Sequence, residues 1–202
     1  MTELPAITAI HDDLTARWHG DPSAGSGSGL EAIIVEQHRQ NFGLWHEEDR
    51  ARAPLASSDE IAQTKRKIDA LNQRRNDLIE AIDRMLLQLL STVQQTGRAE
   101  LHSETPGMII DRLSILSLKI FHTSEQMERS DVDPEHIAKN RERLQILLQQ
   151  RNDLAECLSA LWRDIQSGRR YFKLYRQLKM YNDPELNPEI YGAGDKKIDC
   201  GG

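Results

Sequence analysis

Aromatic side chains are scarce: Phe, Trp and Tyr make up 5% of the 202 residues. Sheets draw on aromatic and β-branched residues. Here Leu, Ile, Arg, Gln, Glu and Asp abound instead, which favours helices. Cysteine is nearly absent, with Cys157 and Cys200 alone, so neither a disulfide framework nor a cysteine zinc site follows. Cys157 falls on a predicted apolar helix face and reads as a small core residue. Cys200 lies in a Cys-Gly-Gly ending, which is not a prenylation box. Positive charge is not in excess: the formal net charge is −6, which excludes a general nucleic-acid binder. No apolar run approaches the ~20 residues of a membrane span, and no basic segment followed by an apolar one marks a secretory signal. A reduced, cytoplasmic protein is expected.

What the chain does contain is a repeat. At an offset of 76 positions, Trp45-His46 falls on Phe121-His122, Ile61-Ala62 on Ile137-Ala138, and Arg75-Asn76-Asp77-Leu78 on Arg151-Asn152-Asp153-Leu154. A repeat of this length implies a duplicated structural unit. The expected fold is all-α: a helical bundle built from a duplicated long helical hairpin, with short N- and C-terminal helices. Residues 1–29 read as a short helix and a Gly/Ser-rich linker, 30–191 as the bundle and 192–202 as a flexible tail.

Four long helices are predicted. The first runs from about Leu30 to Arg52, ahead of Pro54. The second starts at a capping box, Ser57 and Glu60, and runs to about Gln95. Thr105-Pro106 opens the third and Asp133-Pro134 the fourth, with proline at the first helical position, where a missing N–H costs nothing. A basic and aromatic fifth helix is predicted over about Arg169 to Tyr181, suited to a phosphate-bearing ligand or a membrane surface.

Several faces that should be buried are polar. At the helical period, the first long helix turns His38, Asn41, Trp45, Glu48, Asp49 and Arg52 the same way as Ile34. Arg75 and Arg151 interrupt aliphatic stripes and need carboxylate partners; for Arg75 the expected partner is Asp49 or Glu48. Burying such groups costs several kcal/mol unless they pair with one another, water or a ligand. The expected ligand site joins His38, Trp45, Asp49, Arg52, Asn72, Arg75, Asn76, Asp111, Arg112 and Lys119. A self-satisfied layer that fixes bundle register is the bland alternative.

His46 and His122, matched by the repeat, are the acid/base candidates. His and carboxylates on facing helices also build metal sites in bundles, but the usual Glu-x-x-His is missing from these helices. A divalent ion held by Glu48, Asp49 and Asp83 is a further option. That pattern is similar to the all-α nucleotide pyrophosphohydrolases, except that their further acid is here Ala51.

Longer stretches carry a closer resemblance: residues 44–52, Lys65-Arg66-Lys67-Ile68-Asp69, Glu104-Thr105-Pro106-Gly107 with Ile110-Asp111-Arg112-Leu113, and Tyr175-Arg176-Gln177. With these, the chain from about Leu30 to Tyr191 resembles an uncharacterised bacterial family, domain of unknown function 4254. The resemblance implies a small helical protein, in some cases encoded near surface-glycan glycosyltransferases. Three functions follow as expectations. One is an accessory or ligand-binding factor in bacterial surface-glycan (lipopolysaccharide) assembly, with a glycosyltransferase or a phosphorylated small molecule as partner. The second is a metal-dependent hydrolase of a phosphate ester or nucleotide. The third is a structural oligomerisation module, for instance a homodimer.

Overall fold

A computed structural model describes residues 3–25, 27–176 and 185–188. Its elements in chain order are α1 (Ile7–Gly20), α2 (Gly29–Ala51), α3 (Ser58–Leu89), β1 (Glu100–Leu101), α4 (Pro106–Glu128), α5 (Pro134–Gln166) and β2 (Arg170–Tyr171). The all-α expectation holds: helices form the body, and two 2-residue strands pair in parallel at its edge.

The helix starts follow local chemistry. Ser57 Oγ accepts from the Glu60 N–H at 3.3 Å, and Glu60 Oε2 accepts from the Ser57 N–H at 2.8 Å. Together they close the capping box. Thr105 and Asp133 cap α4 and α5 through the Met108 and His136 amides. The α3 end differs from expectation, falling at Leu89 rather than near Gln95. Ser91, Thr92 and Val93 are weaker helix formers. The Thr96 N–H donates to the Gly168 carbonyl at 2.9 Å, which ties this segment to the chain beyond α5.

The C-terminal helix also differs. Gly168 adopts φ 71 and ends α5. Residues 170–171 are then strand and 172–176 are not helical. Consecutive Tyr171 and Phe172 suit an extended chain, and Phe172 is buried in the main core. The part of that predicted helix from 177 to 181 lies outside the described residues.

α2 packs along α3 and α4 along α5, and α4 also touches α1, α2 and α3. The main core joins Ile34 of α2, Ile82 and Leu86 of α3, Ile110 and Leu113 of α4, and Leu161, Trp162 and Ile165 of α5. Each such side chain contributes roughly 1.5–3 kcal/mol by leaving water. α1 docks through Leu14 and Trp18 against Val35. The start of the Gly/Ser-rich segment is held as well: Trp18 Nε1 and Arg39 Nη2 both donate to the Ala24 carbonyl, at 2.7 and 3.2 Å. Cys157, expected in the core, is exposed.

Candidate metal centre

The polar residues of α1, α2 and α4 divide into two separate groups. The first is a buried layer. His38 Nε2 lies 3.1 Å from the His11 carbonyl, which can only accept. Nε2 therefore carries the proton, and Nδ1 accepts from the Ser114 hydroxyl at 2.7 Å. Asn41 Nδ2 donates to Ser114 Oγ and to Asp111 Oδ1, both at 2.9 Å, and Gln37 Nε2 donates to the same carboxylate. Arg75 Nε stands 3.8 Å from Asp111 Oδ1. Arg75 thus faces Asp111 rather than Asp49 or Glu48, because Asp111 is the acid that α4 brings against α3. Burial pushes the Asp111 carboxyl up, while Arg75, Asn41 and Gln37 pull it back down. Burial holds the His38 imidazole down at about 3 and the His11 imidazole well below its ordinary value. Both rings are therefore neutral inside the fold, stacked with centroids 4.5 Å apart.

The second group is a cluster of three histidines near the other end of the α2–α4 contact. His19 comes from the last turn of α1, His46 from α2 and His122 from α4, and one ligand nitrogen of each lies within 4.8 Å of the others. His122 Nδ1 contacts Glu125 Oε2 at 2.7 Å, and His19 Nδ1 contacts the Thr15 carbonyl at 2.7 Å. An ionised carboxylate and a carbonyl can only accept, so both rings hold a proton on Nδ1, and Nε2 is the atom left to act as a ligand. His122 Nε2 is buried and has no hydrogen-bond partner among the described residues. Trp45 stacks on His122 at 4.6 Å, Phe121 stacks on His19 at 4.4 Å, and Phe42 meets the His46 edge at 4.5 Å. Burial, then the neighbouring His19 and His122, hold the His46 imidazole below its ordinary value.

These features fit a transition metal. Imidazole nitrogens bind zinc at about 2.0–2.1 Å, and a histidine ligand normally donates its other N–H to a carboxylate or carbonyl. Nitrogens of a tetrahedral site stand about 3.4 Å apart, so the rings need to close by little more than an ångström at most.

Of the expected site residues, the structure brings His46, His122 and Trp45 together, and joins His38, Arg75 and Asp111 in the separate layer. The others lie elsewhere. Asp49 is exposed on the last turns of α2, and Glu48 pairs with Arg52 at 2.8 Å. Asp83 sits in the last turns of α3 and accepts from the Gly107 N–H at 2.7 Å. Burial raises its carboxyl to about 6 against the opposing hydrogen bonds from Thr105 and Gly107. Glu48, Asp49 and Asp83 therefore do not converge: short-loop antiparallel packing places them at opposite ends of the α2–α3 hairpin. Asn72 is half-buried and Asn76 buried on α3. Arg112 pairs with Glu104 at 2.7 Å, and Lys119 lines a groove with it between α4 and α5.

His19 was not among the expected residues. Its signal in the sequence is the face His11, Thr15, Trp18 and His19, whose helical spacing marks a face of α1 that packs on the bundle.

The chain belongs to the family described as protein of unknown function (DUF4254), whose model matches residues 31–174. His46 and His122 fall inside that span and His19 precedes it. No curated protein and no solved structure matches the chain.

Proposed function

Within this family, we propose that the chain binds a zinc-class divalent metal through His19, His46 and His122 and uses it to activate water for hydrolysis. The observation that carries this reading is His122 Nε2, buried and unpartnered among the described residues while Glu125 holds Nδ1. A buried polar atom without a partner costs roughly 1–3 kcal/mol, and a metal ligand bond removes that cost. Nitrogen ligands alone favour zinc or copper over magnesium or calcium. Three protein ligands leave a fourth position for water, the pattern of catalytic rather than structural zinc. The bound metal supplies acidity, lowering the pKa of its water to about 7. In this reading His46 is a ligand rather than the acid or base.

The test is native mass spectrometry and zinc titration of the full chain. One zinc per chain is expected, lost in His46→Ala and His122→Ala. Glu125→Gln should weaken binding about 10–100-fold. Zinc binding unchanged by both alanine variants would overturn the reading.

The hydrogen bonds of His38 and Asn41 to Ser114 and of Gln37 and Asn41 to Asp111 tie α2 to α4, which supports a register-setting layer for His38, Asp111 and Arg75. Both ring nitrogens of His11, Gln37 Oε1 and Arg75 Nε stay buried without a hydrogen-bond partner among the described residues. A cytoplasmic accessory role beside a glycosyltransferase in surface-glycan assembly rests on the family resemblance, and co-purification from the native host tests it. We also infer a duplication of the α2–α3 hairpin. The lengths of 23, 32, 23 and 33 residues for α2 to α5 support it. So do the contacts between residues 76 apart, His38 with Ser114 and His46 with His122, as near a two-fold axis.

A further inference from the structure

A groove of about 610 Å³ runs between α2 and α3. His46 lines it, and so belongs to both the groove and the histidine cluster. The other polar walls are Gln40, Glu47 and Arg50 from α2 and Lys67 and Arg74 from α3. Three cations therefore face one carboxylate. Glu47 Oε1 already takes Arg50 at 2.7 Å and Lys67 at 3.8 Å. Arg74 makes no ion pair among the described residues. Glu47 Oε2 is buried with no hydrogen-bond partner there.

From this arrangement we infer that the groove takes a phosphomonoester, with its phosphate against Lys67, Arg74 and Arg50 beside His46. The inference rests on the metal reading, since His46 is what connects the groove to the metal. Surplus positive charge selects a dianion over a single carboxylate, and arginine forks match phosphate oxygens. The reaction consumes one water. Its oxygen attacks phosphorus, the ester P–O bond breaks, and the bonding pair leaves with the alcohol oxygen. That oxygen takes the proton the water loses, so the products are an alcohol and inorganic phosphate.

The experiment uses the full chain loaded with zinc and p-nitrophenyl phosphate as probe, with inorganic phosphate as competitor. Lys67 and Arg74 are exposed, so the K67A/R74A variant keeps its helical circular-dichroism signal and its zinc. We expect turnover that phosphate inhibits, and a KM at least ten-fold higher in K67A/R74A, with zinc stoichiometry unchanged. Zinc bound without phosphate turnover or inhibition would overturn this inference alone, as would an unchanged KM in the variant. A wild-type chain that binds no zinc sinks the metal reading, and native mass spectrometry records that outcome separately.

Discussion

Two histidines one helix apart in role show how surroundings decide chemistry. His38 spends both ring nitrogens on internal partners, whereas His122 spends one and leaves the other bare. For His38 the consequence is a pH effect. Its pKa inside the fold is about 3, against about 6.5 in the unfolded chain. Its contribution to stability is therefore complete above about pH 6.5. As pH falls from there toward about 3, the unfolded chain binds a proton that the fold refuses, and stability drops by about 1.4 kcal/mol per unit. His38→Gln should be less stable at pH 7 by about 1–3 kcal/mol. Its deficit should then shrink by up to about 2 kcal/mol on going to pH 5, as read by urea unfolding at each pH. A deficit that stays constant would place the imidazole in contact with water. Asp83, raised to about 6, works with the opposite sign, but it is common to both chains and cancels in the difference. Asp111→Ala leaves the Gln37 amide and one N–H of Asn41 without an acceptor, the other Asn41 N–H staying on Ser114, and should cost roughly 2–4 kcal/mol. Arg75→Ala should cost less, about 1 kcal/mol, since the arginine side chain keeps part of its surface in solvent.

At the scale of the element, α4 is the part most constrained by its neighbours. Gly107 lies in its first turn, where an added Cβ would stand 2.8 Å from both Asp83 Oδ1 and the Ile79 carbonyl. Only glycine lets α4 start this close to α3 and offer its amide to Asp83. Alanine is the better helix former by about 1 kcal/mol, yet Gly107→Ala should destabilise by roughly 1–3 kcal/mol, because backbone must shift. Thermal unfolding checks this, and a raised Tm would mean that the α3–α4 approach is loose. The start signals of α3, α4 and α5 were legible because a cap is a contact between residues three apart. The end of α3 and the segment after α5 were not. The segment after α5 is set by pairing of residues 96–102 with 168–171, and no local pattern encodes a partner some seventy residues away.

For the whole molecule, α1 is the element with most at stake. It supplies His19 to the cluster and His11 and Thr15 to the buried layer, and it packs on α2 and α4. A metal bound by His19, His46 and His122 would tie α1 to both of those helices. Zinc at 100 times its Kd should stabilise the fold by about 2.7 kcal/mol. In hydrogen exchange the added protection should reach the α1 amides. His19→Ala should remove the protection of α1, and protection of α1 that persists in this variant would mean that zinc acts elsewhere.

The sequence by itself determined the four long helices, the starting caps of α3, α4 and α5 and the pairing of long elements, since each depends on spacing within one turn or one hairpin. It also singled out Trp45 as an aromatic residue on an inward face, and His46 and His122 as positions matched by the repeat. Tertiary structure alone decided which of the inward polar residues meet. Register between α2 and α4 puts Asp111 with Gln37 and Asn41 and puts His122 with His46, so residues on one helical stripe end up in two sites. The docking of α1 added His19, a residue whose role depends on contacts with helices that follow it in the chain.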